Sequence, residues 1–172
     1  MKSSLLGIGL LQTVIHIPAP VSQPVALPTE SKALHSEPTV YLADRDAQAD
    51  VDQALAAAKQ AGKRVIVIMG ANWCHDSKGL AGWFATPRFA AMLDDRYEVV
   101  YVDVGAPQTG RARNLDIAQR FGIKKVKTTP VVMILSPDGK RLNSQKDAAG
   151  WHNAASRSEN AIFDYFNGFT PT

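Results

Sequence analysis

Residues 65–69 read Val-Ile-Val-Ile-Met, a β-branched run closed by methionine with no polar residue alternating among them. Successive side chains of a strand point to opposite faces, so a strand with one face in water shows polar alternation. This run shows none and therefore predicts a central strand buried on both faces. Such a strand needs apolar cover on two sides, which a chain of 172 residues with 45% hydrophobic residues can supply within one domain.

The neighbouring segments carry that cover. Val51, Leu55 and Ala58 fall at i, i+4 and i+7 with Ala54 beside them, which predicts an amphipathic helix over residues 46–61 ended by Gly62. After the apolar run, Gly70-Ala71-Asn72 turns the chain, and a helix is expected over residues 75–84. Thr86-Pro87 opens a short helix through Phe89 and Met92, with proline in the first turn, where its missing N–H costs nothing. Residues 97–104 predict a second strand, 105–113 a polar loop, 115–121 a helix stopped by Gly122, and 131–135 a third strand. Ser136-Pro137-Asp138-Gly139 has turn chemistry, residues 140–143 are expected to return as an antiparallel partner, and a last helix is expected over 153–166. The pattern is that of an α/β fold with a central mixed sheet flanked by helices.

Charge narrows the class of partner. Nineteen basic and 16 acidic residues leave a formal charge of +3, too small and too mixed to mark a nucleic-acid surface. Lys124, Lys125 and Lys127 form the tightest basic cluster and, with no aromatic residue among them, read as a solvated loop rather than a phosphate-binding patch. Phosphate-cradling glycine loops are absent from the sequence, so neither nucleic acid nor a cofactor is expected.

At the N-terminus, Met1-Lys2 precedes an apolar stretch over residues 5–17, broken only by Gly7, Gly9, Gln12, Thr13 and His16. A membrane helix needs roughly 20 apolar residues, whereas the apolar region of a signal peptide needs about 7 to 15 after a positive start. Residues 1–22 thus read as a signal peptide, residues 23–40 as a proline-rich linker or tail, and residues 41–172 as the folded domain. The expected location is the periplasm or outside the cell, or the cytoplasm if the leader does not function. No stable membrane insertion is expected after processing.

The chain contains one cysteine, Cys74, in Trp73-Cys74-His75-Asp76-Ser77 between the central strand and the following helix. One thiol cannot form an internal disulfide or a multi-thiolate zinc site, so it is either inert or used. A helix N-terminus presents partial positive charge and unpaired N–H groups, both of which favour thiolate over thiol. Ser77 stands where a second cysteine would complete Cys-x-x-Cys; its hydroxyl either donates to the thiolate or fills the space. His75, as imidazolium, either steadies a thiolate or faces solvent, while the carboxylate of Asp76, if near the sulfur, would oppose it. Trp73 reads as a packing residue and a wall of the site. Adjacent residues such as Cys74 and His75 do not converge on one ion, and His16, His35 and His152 lie far along the chain, so no metal is expected.

A buried strand leading to Trp73-Cys74 at a helix start, a later Thr129-Pro130 ahead of a strand, then a hairpin and a closing helix resemble the thioredoxin superfamily over residues 45–166. The resemblance implies a thioredoxin-like fold and a cis Thr129–Pro130 bond whose loop faces Cys74. It also implies that the Thr129 backbone pairs with an extended substrate peptide. The implied site is therefore Cys74, His75 and Ser77 as the chemical set, with Trp73, Thr129 and Pro130 against the substrate. Two positions depart from the family pattern: Ser77 replaces the usual resolving cysteine, and Ile68 stands where many members carry a buried acid, six residues before the cysteine. The expected function is thiol–disulfide exchange through mixed disulfides at a single cysteine, isomerase- or reductase-like, on protein or small-molecule thiols and disulfides. The alternative is a redox-inactive binding module of the same fold that uses the groove at Pro130.

Overall fold

The computed structural model describes residues 37–169; the leader-like residues 1–22 and most of the proline-rich stretch lie outside the described residues. Asp46 caps the first helix, α1 (Ala47–Ala61), by accepting from the Ala49 N–H at 3.1 Å, and Gly62 ends it in the left-handed region at φ 67°. The chain continues through β1 (Arg64–Gly70), α2 (His75–Phe84), α3 (Pro87–Arg96) and β2 (Tyr97–Asp103). Two short strands follow, β3 (Gly105–Ala106) and β4 (Arg111–Ala112), joined by the 3-10 turn Pro107–Thr109. Then come α4 (Leu115–Arg120), β5 (Val131–Leu135), α5 (Gln145–Ala149), the 3-10 turn Ala154–Ser156 and α6 (Glu159–Asn167).

β1 is the middle strand of the order β2–β1–β5, parallel to β2 and antiparallel to β5, so the sheet is mixed. Every residue of the run 65–69 is fully buried, and its two faces feed two separate apolar clusters. Val65, Val67 and Met69 join Val131, Met133 and Leu135 against α1, α4 and Ala148. Ile66 and Ile68 join Val132 and Ile134 against Leu80, Phe84, Phe89, Trp151 and Phe166. Burial of one such side chain stabilises by about 1.5–3 kcal/mol, so a polar residue anywhere in the run would cost one cluster heavily.

Three segments differ from the sequence expectation. Residues 105–113 are a small hairpin rather than a loop, with Gly105 paired to Ala112; Gly105 and Gly110 take φ of 65° and 74°, values that favour glycine. Residues 140–143 do return antiparallel to β5, but only as a single bridge rather than a strand, with Leu142 N–H donating to Ile134 C=O at 2.8 Å. The bridge joins Leu135 to Arg141, and beyond it the Asn143 amide stands in for backbone, accepting from Ile134 N–H at 3.1 Å and donating to Val132 C=O at 2.8 Å. The helix expected over 153–166 begins only at Glu159, its first residues forming the 3-10 turn Ala154–Ser156, and α5 has no counterpart in the expectation. Ser144 caps α5 and Ser158 caps α6, each accepting a backbone N–H three residues on, and buried Trp151 fills the gap with Arg157 over its ring at 4.1 Å.

All four tyrosines are held above their ordinary value of 10.0, first of all by burial, with Tyr97 pushed up to about 12. The unfolded chain would release these protons near pH 10 while the folded chain keeps them. Stability is therefore whole below pH 10 and falls as pH rises from about 10 toward 12. Urea midpoints measured by tryptophan fluorescence should drop across that window, and Tyr97→Phe should blunt the drop; a flat profile would contradict this assignment.

Candidate functional site

The site begins where β1 runs out. Gly70 ends the strand, and the turn through Ala71, Asn72 and Trp73 is closed by the Cys74 N–H donating to Ala71 C=O at 3.0 Å. Cys74 is the N-cap of α2, with extended backbone at φ −88° and ψ 117°, and its carbonyl accepts the Lys78 N–H at 3.0 Å. Its Sγ donates to the Thr129 C=O at 3.5 Å, directly before the cis Thr129–Pro130 bond. Residues 55 positions apart in sequence thus meet at one sulfur.

Cys74 is only 9% exposed, whereas its neighbour Trp73 is 53% exposed. The indole is fixed in place by donating from Nε1 to the Gly105 C=O of the β3–β4 hairpin at 2.9 Å. Cys74 and the Thr129–Pro130 pair therefore come together, with Trp73 adjoining Cys74 in the chain and tied to the hairpin. His75 does not join them through a hydrogen bond among the described residues; its side chain is 71% exposed and its Nδ1 lies 3.1 Å from Glu37 Oε1. The same carboxylate holds Lys78 Nζ at 2.7 Å. Asp76 is engaged elsewhere too, its Oδ1 accepting the Ala155 N–H at 2.9 Å, where it steadies the 3-10 turn packed on α2.

Ser77 is fully buried, and a side-chain hydrogen bond to Ser77 partly offsets the rise that burial imposes on the Tyr41 phenol. Its surroundings explain the position. Tyr41, from the segment ahead of α1, lies against the start of α2 with its hydroxyl donating to Ser77 C=O at 3.2 Å. The Asn72 amide clamps the Tyr41 backbone on both sides, accepting from Tyr41 N–H at 3.2 Å and donating to Tyr41 C=O at 2.7 Å. Room for this junction exists because residue 70 is glycine: a Cβ there would sit 2.6 Å from Ser77 Oγ and 2.7 Å from the Tyr41 ring.

Ile68 is fully buried in the same apolar cluster as Tyr41, so an apolar residue holds the place where an acid was sought. The nearby titratable group is the Tyr41 phenol, which burial holds well above its ordinary value; Tyr101, whose ring meets it edge-on at 5.6 Å, and Cys74 add to the rise. At neutral pH it is a neutral donor. Sequence reasoning missed Tyr41, Asn72, Glu37 and the role of Gly70. The available signal for Tyr41 was that it is the one aromatic residue between positions 18 and 72.

Among the described residues no group of three or more His, Cys, Asp or Glu side chains is placed to hold a metal ion, and no helix is long and apolar enough to cross a membrane.

A family model described as thioredoxin-like matches residues 46–137. No curated protein matches the chain. Among solved structures, a disulphide isomerase from Xylella fastidiosa Temecula1 is similar at 30% identity over 77% of this chain and 98% of that one, with a TM-score of 0.68. A thioredoxin from Thermus thermophilus is similar at 19% identity over 68% of this chain and 81% of that one, with a TM-score of 0.46.

Two substitutions check this geometry. Gly70→Ala should force Tyr41 or the first turn of α2 to move and lower stability by about 1–3 kcal/mol in urea unfolding. Ser77→Ala should instead change stability by less than about 1 kcal/mol, because the Tyr41 hydroxyl keeps its bond to the residue 77 carbonyl. A neutral Gly70→Ala or a strongly destabilised Ser77→Ala would show that the junction is not packed as described.

Proposed function

Because this chain belongs to the thioredoxin-like family, we propose that it performs thiol–disulfide exchange through Cys74 alone, with a second molecule supplying the resolving thiol. The observation that carries this reading is the Sγ of the one cysteine, at the start of α2, meeting the carbonyl of Thr129 beside cis Pro130. The likeness to a disulphide isomerase over 77% of this chain supports the same kind of chemistry.

The Cys74 thiolate attacks one sulfur of a partner disulfide, a bond forms between Cys74 Sγ and that sulfur, and the partner's S–S bond breaks. The other partner sulfur leaves as a thiolate and takes a proton from solvent. Cys74 is thereby oxidised into the mixed disulfide while one partner sulfur is reduced. Release needs a thiolate from outside the motif, because Ser77 offers none. If the partner's own thiolate returns to attack its sulfur, the net result is rearrangement of the partner's disulfides; if an external thiol attacks, the net result is reduction. Trp73, Thr129 and Pro130 line the approach, with the Thr129 backbone as the pairing edge for an extended partner segment.

Export belongs to the same proposal. It is supported by the positive start and the apolar residues 5–17, and it would put the thiol where disulfides form and persist. A second reading, a binding module without redox chemistry, is favoured by one observation: Cys74 is nearly covered, with its Sγ already engaged by Thr129.

Cys74→Ala separates the two readings. Under the exchange reading, mixed disulfides with a small neutral disulfide, detected by intact mass, disappear in Cys74→Ala while the fold is kept. Ser77→Cys, which completes Cys-x-x-Cys, should convert trapped mixed disulfides into released partner and an internal disulfide. Wild-type protein that forms no mixed disulfide, yet keeps its partner in both forms, would establish the binding reading instead.

A further inference from the structure

We propose that the disulfide partner of Cys74 is a polypeptide with acidic residues beside its cystine, recognised by Lys124, Lys125 and Lys127; this rests on the exchange reading above. The three lysines lie on the segment that leaves α4 at Gly122, in the left-handed region at φ 79°, and ends at Thr129–Pro130. Ile123 is buried at 1% exposure and Val126 packs on the cluster beneath α1 and α4, so the residues between and after them are turned outward. Lys124, Lys125 and Lys127 are all exposed.

Their charges stand uncompensated. Among the described residues none of the three makes an ion pair or a hydrogen bond, while Lys78 and Arg113 across the site each have a carboxylate partner and Arg111, on the β3–β4 hairpin, is exposed without an ion pair. Glu37 holds both His75 and Lys78, and Asp103 holds Arg113 at 3.2 Å. The largest cluster of unpaired positive charge in the segments flanking Cys74 therefore lies on the Pro130 side, three lysines against the single Arg111 of the hairpin.

The lysine segment is tied to the reacting atom. Lys127 is two residues before Thr129, so their Cα atoms are at most about 7 Å apart. The Thr129 carbonyl in turn lies 3.5 Å from Cys74 Sγ. A peptide sulfur bonded to Cys74 thus places that peptide's nearest neighbours within reach of Lys127, and residues further along within reach of Lys125 and Lys124. One exposed ion pair contributes little. Several unpaired charges of one sign beside a groove act together, raising the encounter rate of an oppositely charged partner in a salt-dependent way. In the covalent step the thiolate bonds to one cystine sulfur of the acidic peptide and the other leaves as a thiolate that takes a solvent proton; the lysines take no part in that chemistry.

The test uses three synthetic cystine peptides of equal length whose flanking residues are acidic, neutral or basic, together with bis(2-hydroxyethyl) disulfide as an uncharged small probe. Rates of mixed-disulfide formation with wild-type protein should rank acidic over neutral by about tenfold at low salt, with basic slowest. The spread should shrink as salt is added. The combined change Lys124→Gln, Lys125→Gln and Lys127→Gln should level the peptide series while leaving the rate with the uncharged probe unchanged. Equal wild-type rates on acidic and neutral peptides, or a preference that survives the triple change, would overturn the inference and leave the exchange reading standing. A wild type inert toward the uncharged probe would overturn both.

Discussion

The two-sided burial of β1 is the constraint on which the rest of the structure hangs. A strand whose odd positions feed one apolar cluster and whose even positions feed another requires helices on both faces and neighbours on both edges. It also settles where chemistry can sit. The faces of the sheet are sealed by packing, so reactive groups are left to the loops beyond the strand ends, where side chains escape the layers. β1 ends at Gly70, and the sulfur of Cys74 follows one turn later.

Gly70 links that constraint to the site. Its missing Cβ lets the Tyr41 ring and Ser77 approach, so the N-terminal segment, the end of the central strand and the first turn of α2 close on one point. Asn72 reinforces the arrangement by pairing with both backbone groups of Tyr41, much as a neighbouring strand would. The placement of α2, and with it of Cys74, therefore depends on residues more than thirty positions upstream as well as on the strand that precedes it.

What was legible in the sequence follows from how local the governing interaction is. The run 65–69, the helix over 75–84 and the Pro87 helix start were readable because periodicity and first-turn chemistry act within a few residues. The late start of the last helix was hidden because alanine and aromatic residues across 154–166 satisfy a helical pattern that only the cap Ser158 interrupts, and α5, at five residues, is too short to show a period. Asn143 could not be read as a substitute for strand backbone, since an amide side chain in a turn-rich stretch has many equally good local uses. The pairing of Cys74 with Thr129 was approached through a family resemblance, not through any local pattern. Tyr41 and Glu37, which reach the site from outside the motif, left almost no trace.

The two departures from the family pattern, Ile68 and Ser77, belong to one environment. Ile68 shares an apolar cluster with Tyr41, and Ser77 sits under the Tyr41 hydroxyl, so neither departure puts a carboxylate or a thiol behind the sulfur. The polar group present there, the Tyr41 phenol, is held protonated by burial and is committed to a backbone carbonyl. It can shape the local field but cannot deliver and recover a proton at neutral pH. These two positions supply neither a second thiol nor an acid. Under the exchange reading, the electrons that break the mixed disulfide and the proton that quenches the leaving thiolate must then both arrive through the open side of the groove, past Trp73 and the Pro130 loop. Chemistry of that kind makes the partner part of the mechanism, and it gives the surface charges around the groove more influence over what reacts than the buried residues behind the sulfur.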